Sequence, residues 1–179
     1  MRSLSTTNTL QRFFAGITEN AFMSTLGVAD PLLVDYISGI LIRFLHNDII
    51  YRLRDLGGQP IHEVIDMVRE AEQLPSDGRT RREYHRHIGD FTLFWTGLYP
   101  ENVQKARSAH SKDYFVSYCA QGKRSYYIAS TFEADDCKEE ACVLRRLSDQ
   151  FELCAYGLHF VRKEFETAHH ENDGFEMVS

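Results

Sequence analysis

Apolar residues recur at helical spacing along most of the chain. The clearest start of a helix is Asp30-Pro31, because an Asp at the N-cap followed by Pro at the first helical position favours helix initiation. The apolar residues that follow occupy most of the circumference of this helix, which is typical of a helix at the centre of a fold. They are Leu32, Leu33, Tyr36, Ile37, Ile40, Leu41, Phe44 and Leu45. This periodicity predicts an all-α fold.

Glycine and proline clusters divide the chain into about six predicted helices. The helix that begins at Pro31 is expected to end near His46. Four further helices are predicted over residues 9–26, 61–73, 80–98 and 111–131. The last of these four contains the small residues Gly122, Ser125 and Ala129, which predict a close approach by a neighbouring helix.

The sixth predicted helix is long and has the most regular pattern. From Leu144 to Phe165 its apolar residues lie alternately three and four positions apart, which is a heptad seam over three repeats. Such a seam fits an intermolecular coiled coil or the long C-terminal helix of an antiparallel bundle. The bundle is favoured, because Phe and Cys are poor residues for a dimer seam and five other helices need a packing surface. We expect one helical domain over residues 1–170 and an acidic, flexible tail over residues 171–179.

Charge and composition restrict the classes of partner. The net charge of −6 argues against non-specific nucleic-acid binding, which requires clustered Lys and Arg. No apolar run reaches the roughly 20 residues that span a membrane, and the first residues lack the apolar core of a signal peptide. None of the four cysteines forms a CxxC pair. We therefore expect a cytoplasmic protein with reduced thiols that binds neither nucleic acid nor membranes.

One basic cluster lies at the start of the predicted helix 80–98. It consists of Arg79, Arg81, Arg82 and Arg86. Cations are unfavourable near the positive N-terminal end of a helix. A solvent-exposed helix face is the favoured interpretation, and an anion-binding site is the alternative.

The same helix carries the residues with the strongest candidate chemistry. At about 100° per residue, one stripe of this helix is aromatic and is expected to face the core. Its members are Tyr84, Ile88, Phe91, Trp95 and Leu98. Glu83, His87 and Asp90 lie beside that stripe and share one side of the helix.

Three interpretations of Glu83, His87 and Asp90 remain open. In the favoured one a carboxylate holds His87 at the edge of the core, because buried polar groups need partners. In the second, His87 and a carboxylate bind a metal ion, together with further ligands from facing helices. In the third, a carboxylate raises the pKa of His87 toward neutrality for acid–base catalysis. Motifs for dinucleotide, phosphate or serine-nucleophile chemistry are absent, so no cofactor is expected.

Two segments of the sequence resemble a group of known proteins. HIGDFTLFWTGLYPE, which begins at His87, and DYFVSYCAQGKRSYYIAS, which begins at Asp113, resemble bacterial helical proteins of unassigned function. The resemblance covers roughly residues 31–130. It implies an all-helical fold in a bacterial cytoplasm, and it implies no substrate, cofactor or catalytic residue.

The leading functional hypothesis is a non-enzymatic cytoplasmic protein that binds a partner protein or itself. A large exposed apolar patch would support it. The alternative is a ligand-binding or metal-dependent enzyme with an interhelical site around Glu83, His87 and Asp90. The alternative requires these side chains to face a solvent-connected pocket that holds other titratable groups.

Overall fold

The computed structural model describes residues 3–106, 112–132 and 134–176. Within these ranges it contains nine α-helices and no strand, which confirms the all-α prediction. The helices are α1 Ser3–Glu19, α2 Pro31–Arg43, α3 Asn47–Ile50, α4 Val64–Gln73, α5 Arg79–Leu98, α6 Pro100–Ala106, α7 Tyr118–Ser130, α8 Lys138–Asp149 and α9 Phe151–Glu176. A π-helical turn, Asn20–Thr25, extends α1. None of the helices in the described part of the chain is long and apolar enough to cross a membrane.

The predicted count of about six helices is too low. The short helices α3 and α6 lie in segments where the sequence shows no extended apolar periodicity. The predicted last helix is divided into α8 and α9 at Gln150, whose backbone leaves the helical conformation (φ −115°, ψ 27°). Phe151 begins α9 and packs against Gly122 of α7, where an added Cβ would lie 2.4 Å from the ring.

The heptad seam nevertheless faces the interior of this chain. Each seam residue from Leu144 to Leu158 is fully buried, and Val161 is 1% exposed. Phe165, the last seam residue, is 37% exposed. Burial within one chain is what the bundle interpretation requires, since an intermolecular coiled coil would leave the seam exposed in a single copy.

Helix α2 begins as the sequence predicts. Asp30 accepts a hydrogen bond from the backbone N–H of Leu33 at 3.2 Å, and its other carboxylate oxygen pairs with Arg146 of α8. Leu33, Ile37 and Ile40 are fully buried. The helix therefore occupies a central position, as its apolar circumference indicates.

Helix α5 lies at the centre of the described structure and packs against α2, α4, α7 and α9. Two glycines of α5 allow neighbouring helices to approach closely. At Gly89 an added Cβ would lie 2.6 Å from the Tyr126 ring of α7, and at Gly97 it would lie 2.6 Å from Leu158 Cβ of α9. On α7, Ser125 and Ala129 are fully buried. The close approach predicted from the small residues of α7 is thus confirmed.

The C-terminal end of the chain is described as far as Glu176. Helix α9 extends through residues 171–176 of the expected tail, and residues 177–179 lie outside the described residues. The flexibility of this tail, and the organisation of residues 1–170 as one domain, stay predictions. Buried apolar residues from the helices of the described ranges do join one core cluster.

Candidate functional site

His87 is sealed inside the protein and has a backbone partner. It is 1% exposed, and its Nε2 lies 2.8 Å from the carbonyl oxygen of Ile50. A carbonyl only accepts, so Nε2 carries the hydrogen and donates. Ile50 ends α3, where backbone carbonyls lack partners within the helix. The prediction that a carboxylate holds His87 is therefore wrong, because the imidazole caps the end of a helix that the sequence does not reveal.

Burial determines the charge state of His87. Loss of hydration, together with the positive charge of Arg52, lowers the pKa of His87 to about 3, although the hydrogen bond to Ile50 acts in the opposite direction. The ring is therefore neutral near pH 7. A general acid–base residue needs a pKa near the working pH and access to its substrate, and His87 has neither.

Asp90 joins three helices. Its Oδ1 accepts hydrogen bonds from the hydroxyls of Tyr36 of α2 and Tyr126 of α7, each at 2.9 Å. Its Oδ2 lies 3.1 Å from Nη2 of Arg43. Burial raises the pKa of Asp90, whereas Arg43, Arg86 and the two hydroxyls act to lower it. Burial, followed by the charge of Asp90, raises the pKa of both tyrosines, so their hydroxyls remain donors.

Glu83 belongs to an arginine–carboxylate network at the start of α5. It pairs with Arg82 at 2.5 Å and with Arg86 at 2.7 Å. Both arginines also pair with Glu140 of α8, Arg86 at 2.8 Å. Burial acts to raise the pKa of Glu140, but the hydrogen bonds and charges of Arg82 and Arg86 outweigh it and lower the pKa. This network fixes α8 against α5.

The favoured interpretation of the basic cluster as a solvent-exposed face is wrong for two of its arginines. The side chains of Arg82 and Arg86 are 4% and 19% exposed, because Glu140 compensates their charge from another helix. Arg79 pairs with Asp136 at 2.7 Å, and Arg81 donates to the carbonyl of Leu74 at 3.3 Å. Carboxylates therefore compensate three of the four charges on which the anion-binding alternative depends, and the partner of Arg81 is a neutral carbonyl.

Helix α5 places Glu83, His87 and Asp90 on one side but does not join them in one site. Glu83 contacts arginines, His87 contacts a backbone carbonyl, and Asp90 contacts two tyrosines and Arg43. In the part of the chain that the structure describes, no three His, Cys, Asp or Glu side chains come close enough together to hold a metal ion. The metal interpretation thus lacks its ligand set among these residues.

Several of the buried polar residues have no distinctive signal in the sequence. His85 is 2% exposed, and its Nδ1 lies 3.4 Å from the Ser125 hydroxyl. Burial, and next the charges of Arg81 and Arg124, lowers the pKa of His85 to about 4. The partners of Asp90 lack such a signal as well, because a tyrosine in an apolar stripe has the same pattern whether or not its hydroxyl binds a buried acid.

An apolar groove lies between α1, α2, α5 and α9. Its volume is about 250 Å³, and we call it the apolar groove. Its walls include Phe14, Leu41, Phe44, Phe94, Val161 and Phe165. Several large apolar side chains at this groove are exposed: Leu45 by 46%, Tyr99 by 38% and Phe165 by 37%. Phe13 of α1 is 37% exposed, and its ring lies 6.1 Å from that of Phe165.

Comparison with protein families, with curated proteins and with solved structures finds no match for this chain. The resemblance to bacterial helical proteins therefore stays a prediction. The apolar groove and the contacts of the buried polar residues are the features that bear on function.

Proposed function

We propose that the chain is a non-enzymatic binding protein that associates with a second copy of itself through the apolar groove. The observation that carries this proposal is that a concave apolar surface and projecting apolar side chains lie on the same face. Phe13 projects from α1 beside Phe165, and Leu45 and Phe165 line the groove. In a two-fold symmetric pair the same patch meets its own copy, so a face with both features is self-complementary.

The charge on this face is compatible with burial. Arg162 lines the groove, but its guanidinium donates to the carbonyl of Leu98 at 2.6 Å and pairs with Glu101 and Glu166, each at 2.8 Å. Burial of an unpaired charge is costly, whereas a paired one with satisfied hydrogen bonds is tolerated. Association across this groove therefore leaves Arg162 with its partners.

The contacts of the candidate residues support a non-enzymatic role. His87 and Asp90 each join α5 to other helices, and Glu83 pairs with Arg86, which also binds Glu140 of α8. His87 lacks the contact with solvent that the enzymatic alternative requires. A cytoplasmic setting is part of the proposal. It is supported by four free cysteines, of which Cys154 is fully buried in the core.

Sedimentation velocity over a range of protein concentrations tests self-association. We expect the wild type to form a dimer and Phe13→Glu to sediment as a monomer, because a carboxylate in the apolar interface loses its hydration. Leu56→Glu is the matched control: Leu56 is 89% exposed and lies away from the groove. It should leave the dimer intact.

Two outcomes contradict self-association through the apolar groove. One is a wild-type protein that sediments as a monomer at every concentration. The other is a dimer on which the two variants have the same effect: either Phe13→Glu leaves it intact, as Leu56→Glu should, or Leu56→Glu disrupts it as much as Phe13→Glu does. Circular dichroism of each variant establishes that a change in sedimentation does not result from unfolding.

A further inference from the structure

A second cavity, of about 180 Å³, is lined mainly by aromatic rings. We call it the aromatic pocket. It lies where the end of α3, the middle of α5, α6 and the start of α7 meet, and it is lined by Tyr51, Phe91, Trp95 and Tyr118, with His62, Asn102 and Val103. It shares no lining residue with the apolar groove.

The rings of the aromatic pocket are grouped around Phe91. The centroids of Tyr51, Trp95 and Tyr118 lie 6.0, 6.1 and 6.5 Å from that of Phe91. Each ring is inclined to Phe91, by 64°, 61° and 50° respectively. Aromatic faces carry negative charge density, and a cation within about 6 Å of several of them is attracted by each.

A neighbouring cleft, which shares one lining residue with the aromatic pocket, is rich in acidic side chains. The open cleft has a volume of about 540 Å³, and the residue that it shares with the pocket is His62. Its carboxylates are Asp55, Glu63, Asp66 and Glu70, and its basic side chains are Arg69 and Lys112. Lys112 is paired with Asp66 at 2.7 Å. The carboxylates outnumber the basic groups, so the approach to the pocket favours a positively charged ligand.

A carboxylate also lies behind the wall of the pocket. The hydroxyl of Tyr118 donates to Asp113 at 2.9 Å, and Asp113 is 1% exposed. Burial, and next the charge of Asp113, raises the pKa of Tyr118, which agrees with a negative environment at this ring. The aromatic wall and the buried acid therefore act in the same direction on a cation in the pocket.

We propose that the aromatic pocket binds a small quaternary ammonium cation. The four rings provide few hydrogen-bond acceptors and Asn102 adds one side-chain carbonyl, so an ammonium group with three N–H donors would lose most of its hydration without replacement. A trimethylammonium group has no such donors and presents methyl groups to the rings, and aromatic cages are suited to it. The volume of about 180 Å³ restricts the buried part of the ligand to a group of that size.

Trp95 provides a direct measurement, because it is the only tryptophan of the chain and it lines the pocket. We expect choline chloride to change its fluorescence saturably, and sodium chloride at the same ionic strength to leave it unchanged. The neutral analogue 3,3-dimethylbutan-1-ol has the same shape without the charge. It should bind at least about tenfold more weakly, as expected when several cation–π contacts of up to about 1 kcal/mol each are lost.

Two variants test whether the pocket is the site. Tyr51→Leu keeps apolar bulk but removes one aromatic face, and it should weaken choline binding about fivefold, which corresponds to about 1 kcal/mol. Tyr127→Leu is the control, since Tyr127 is a 48% exposed aromatic residue that does not line the pocket. If Tyr51→Leu does not fold, Val103→Phe tests the site by filling the cavity from α6.

The inference is overturned by any of three results. These are the absence of a saturable response to choline, equal affinity for choline and its neutral analogue, or unchanged affinity in both pocket variants. Each result is independent of the oligomeric state, so failure of this inference is distinguishable from failure of self-association.

Discussion

The hydroxyl of Tyr126 donates a hydrogen bond of 2.9 Å to the buried carboxylate of Asp90. The pair joins α7 to α5 inside the protein, because Tyr126 is 0% exposed and Asp90 is 3% exposed. A buried acid is costly unless donors compensate for its lost hydration. Asp90 has such donors from two other helices, which makes it a structural centre of the fold.

Removal of this donor should destabilise the protein. Tyr126→Phe leaves the ring in place but takes one hydrogen bond from a buried carboxylate, which costs about 1.5–3 kcal/mol. We expect urea unfolding to show this loss in the free energy of unfolding. Tyr127→Phe, one residue along α7 at an exposed position, is the control. A Tyr126→Phe variant as stable as the control would show that Asp90 does not depend on this hydroxyl.

Two glycine-to-alanine substitutions should have opposite effects. At Gly89 an added Cβ would lie 2.6 Å from two atoms of the Tyr126 ring, so Gly89→Ala should destabilise by about 1–3 kcal/mol through overpacking. At Gly16, in α1, nothing lies within 4 Å of the added Cβ. Gly16→Ala should stabilise by up to about 1 kcal/mol, because alanine favours helix. Thermal unfolding of both variants checks the signs. A Gly89→Ala variant at least as stable as the wild type would contradict the close packing of α5 against α7, and a destabilised Gly16→Ala variant would contradict the open position of Gly16.

The N-terminus of α4 should depend on a residue far along the chain. Asp113 accepts hydrogen bonds of 2.9 Å from the backbone N–H groups of Val64 and Ile65. Asp113→Ala removes both, together with the hydrogen bond from the Tyr118 hydroxyl, so we expect a loss of at least about 1–3 kcal/mol in the free energy of unfolding. Asp135→Ala is the control, since the side chain of Asp135 is 92% exposed. Equal stability of the two variants would contradict the capping role of Asp113.

The cap by Asp113 also shows where sequence reasoning ends. Local signals predicted α2 from Asp30-Pro31 and α5 from its apolar stripe, because a helix start and a helix face are properties of neighbouring residues. The start of α4 was predicted at residue 61 and lies at Val64, since the cap comes from Asp113. A partner so distant in sequence leaves no periodic signal.

The candidate site was only partly predictable for the same reason. Periodicity correctly placed Glu83, His87 and Asp90 on one side of α5, but the partners of His87 and Asp90 come from α2, α3 and α7. Glu83 is linked to α8 only through the arginines that it shares with Glu140. His87 was expected to meet a carboxylate, because a short helix ending at Ile50 had no detectable pattern. The break at Gln150 was hidden because the apolar spacing continues unchanged across it.

Stability should fall as the pH is lowered from about 6.5, because two histidines are buried in neutral form. Burial lowers the pKa of His87 to about 3 and that of His85 to about 4. Below about pH 6.5 the unfolded chain binds protons on both rings while the folded protein does not. Proton binding therefore stabilises the unfolded state relative to the folded state. Each ring should cost about 2 kcal/mol at pH 5 relative to pH 8. Urea unfolding at the two pH values measures this sum together with the contributions of the other titrating groups.

The variant His87→Gln isolates one of these contributions. Glutamine retains a donor for the Ile50 carbonyl but does not titrate, so the loss between pH 8 and pH 5 should shrink by about 2 kcal/mol. Asp90 acts in the opposite direction, because burial raises its pKa and acidification then favours the folded state. Its effect is common to wild type and variant and cancels in their difference. His46→Gln, at an exposed position, is the control for the substitution itself. If the pH dependence of His87→Gln equals that of the wild type, His87 binds a proton in the folded protein at pH 5. That result would contradict a neutral, buried His87.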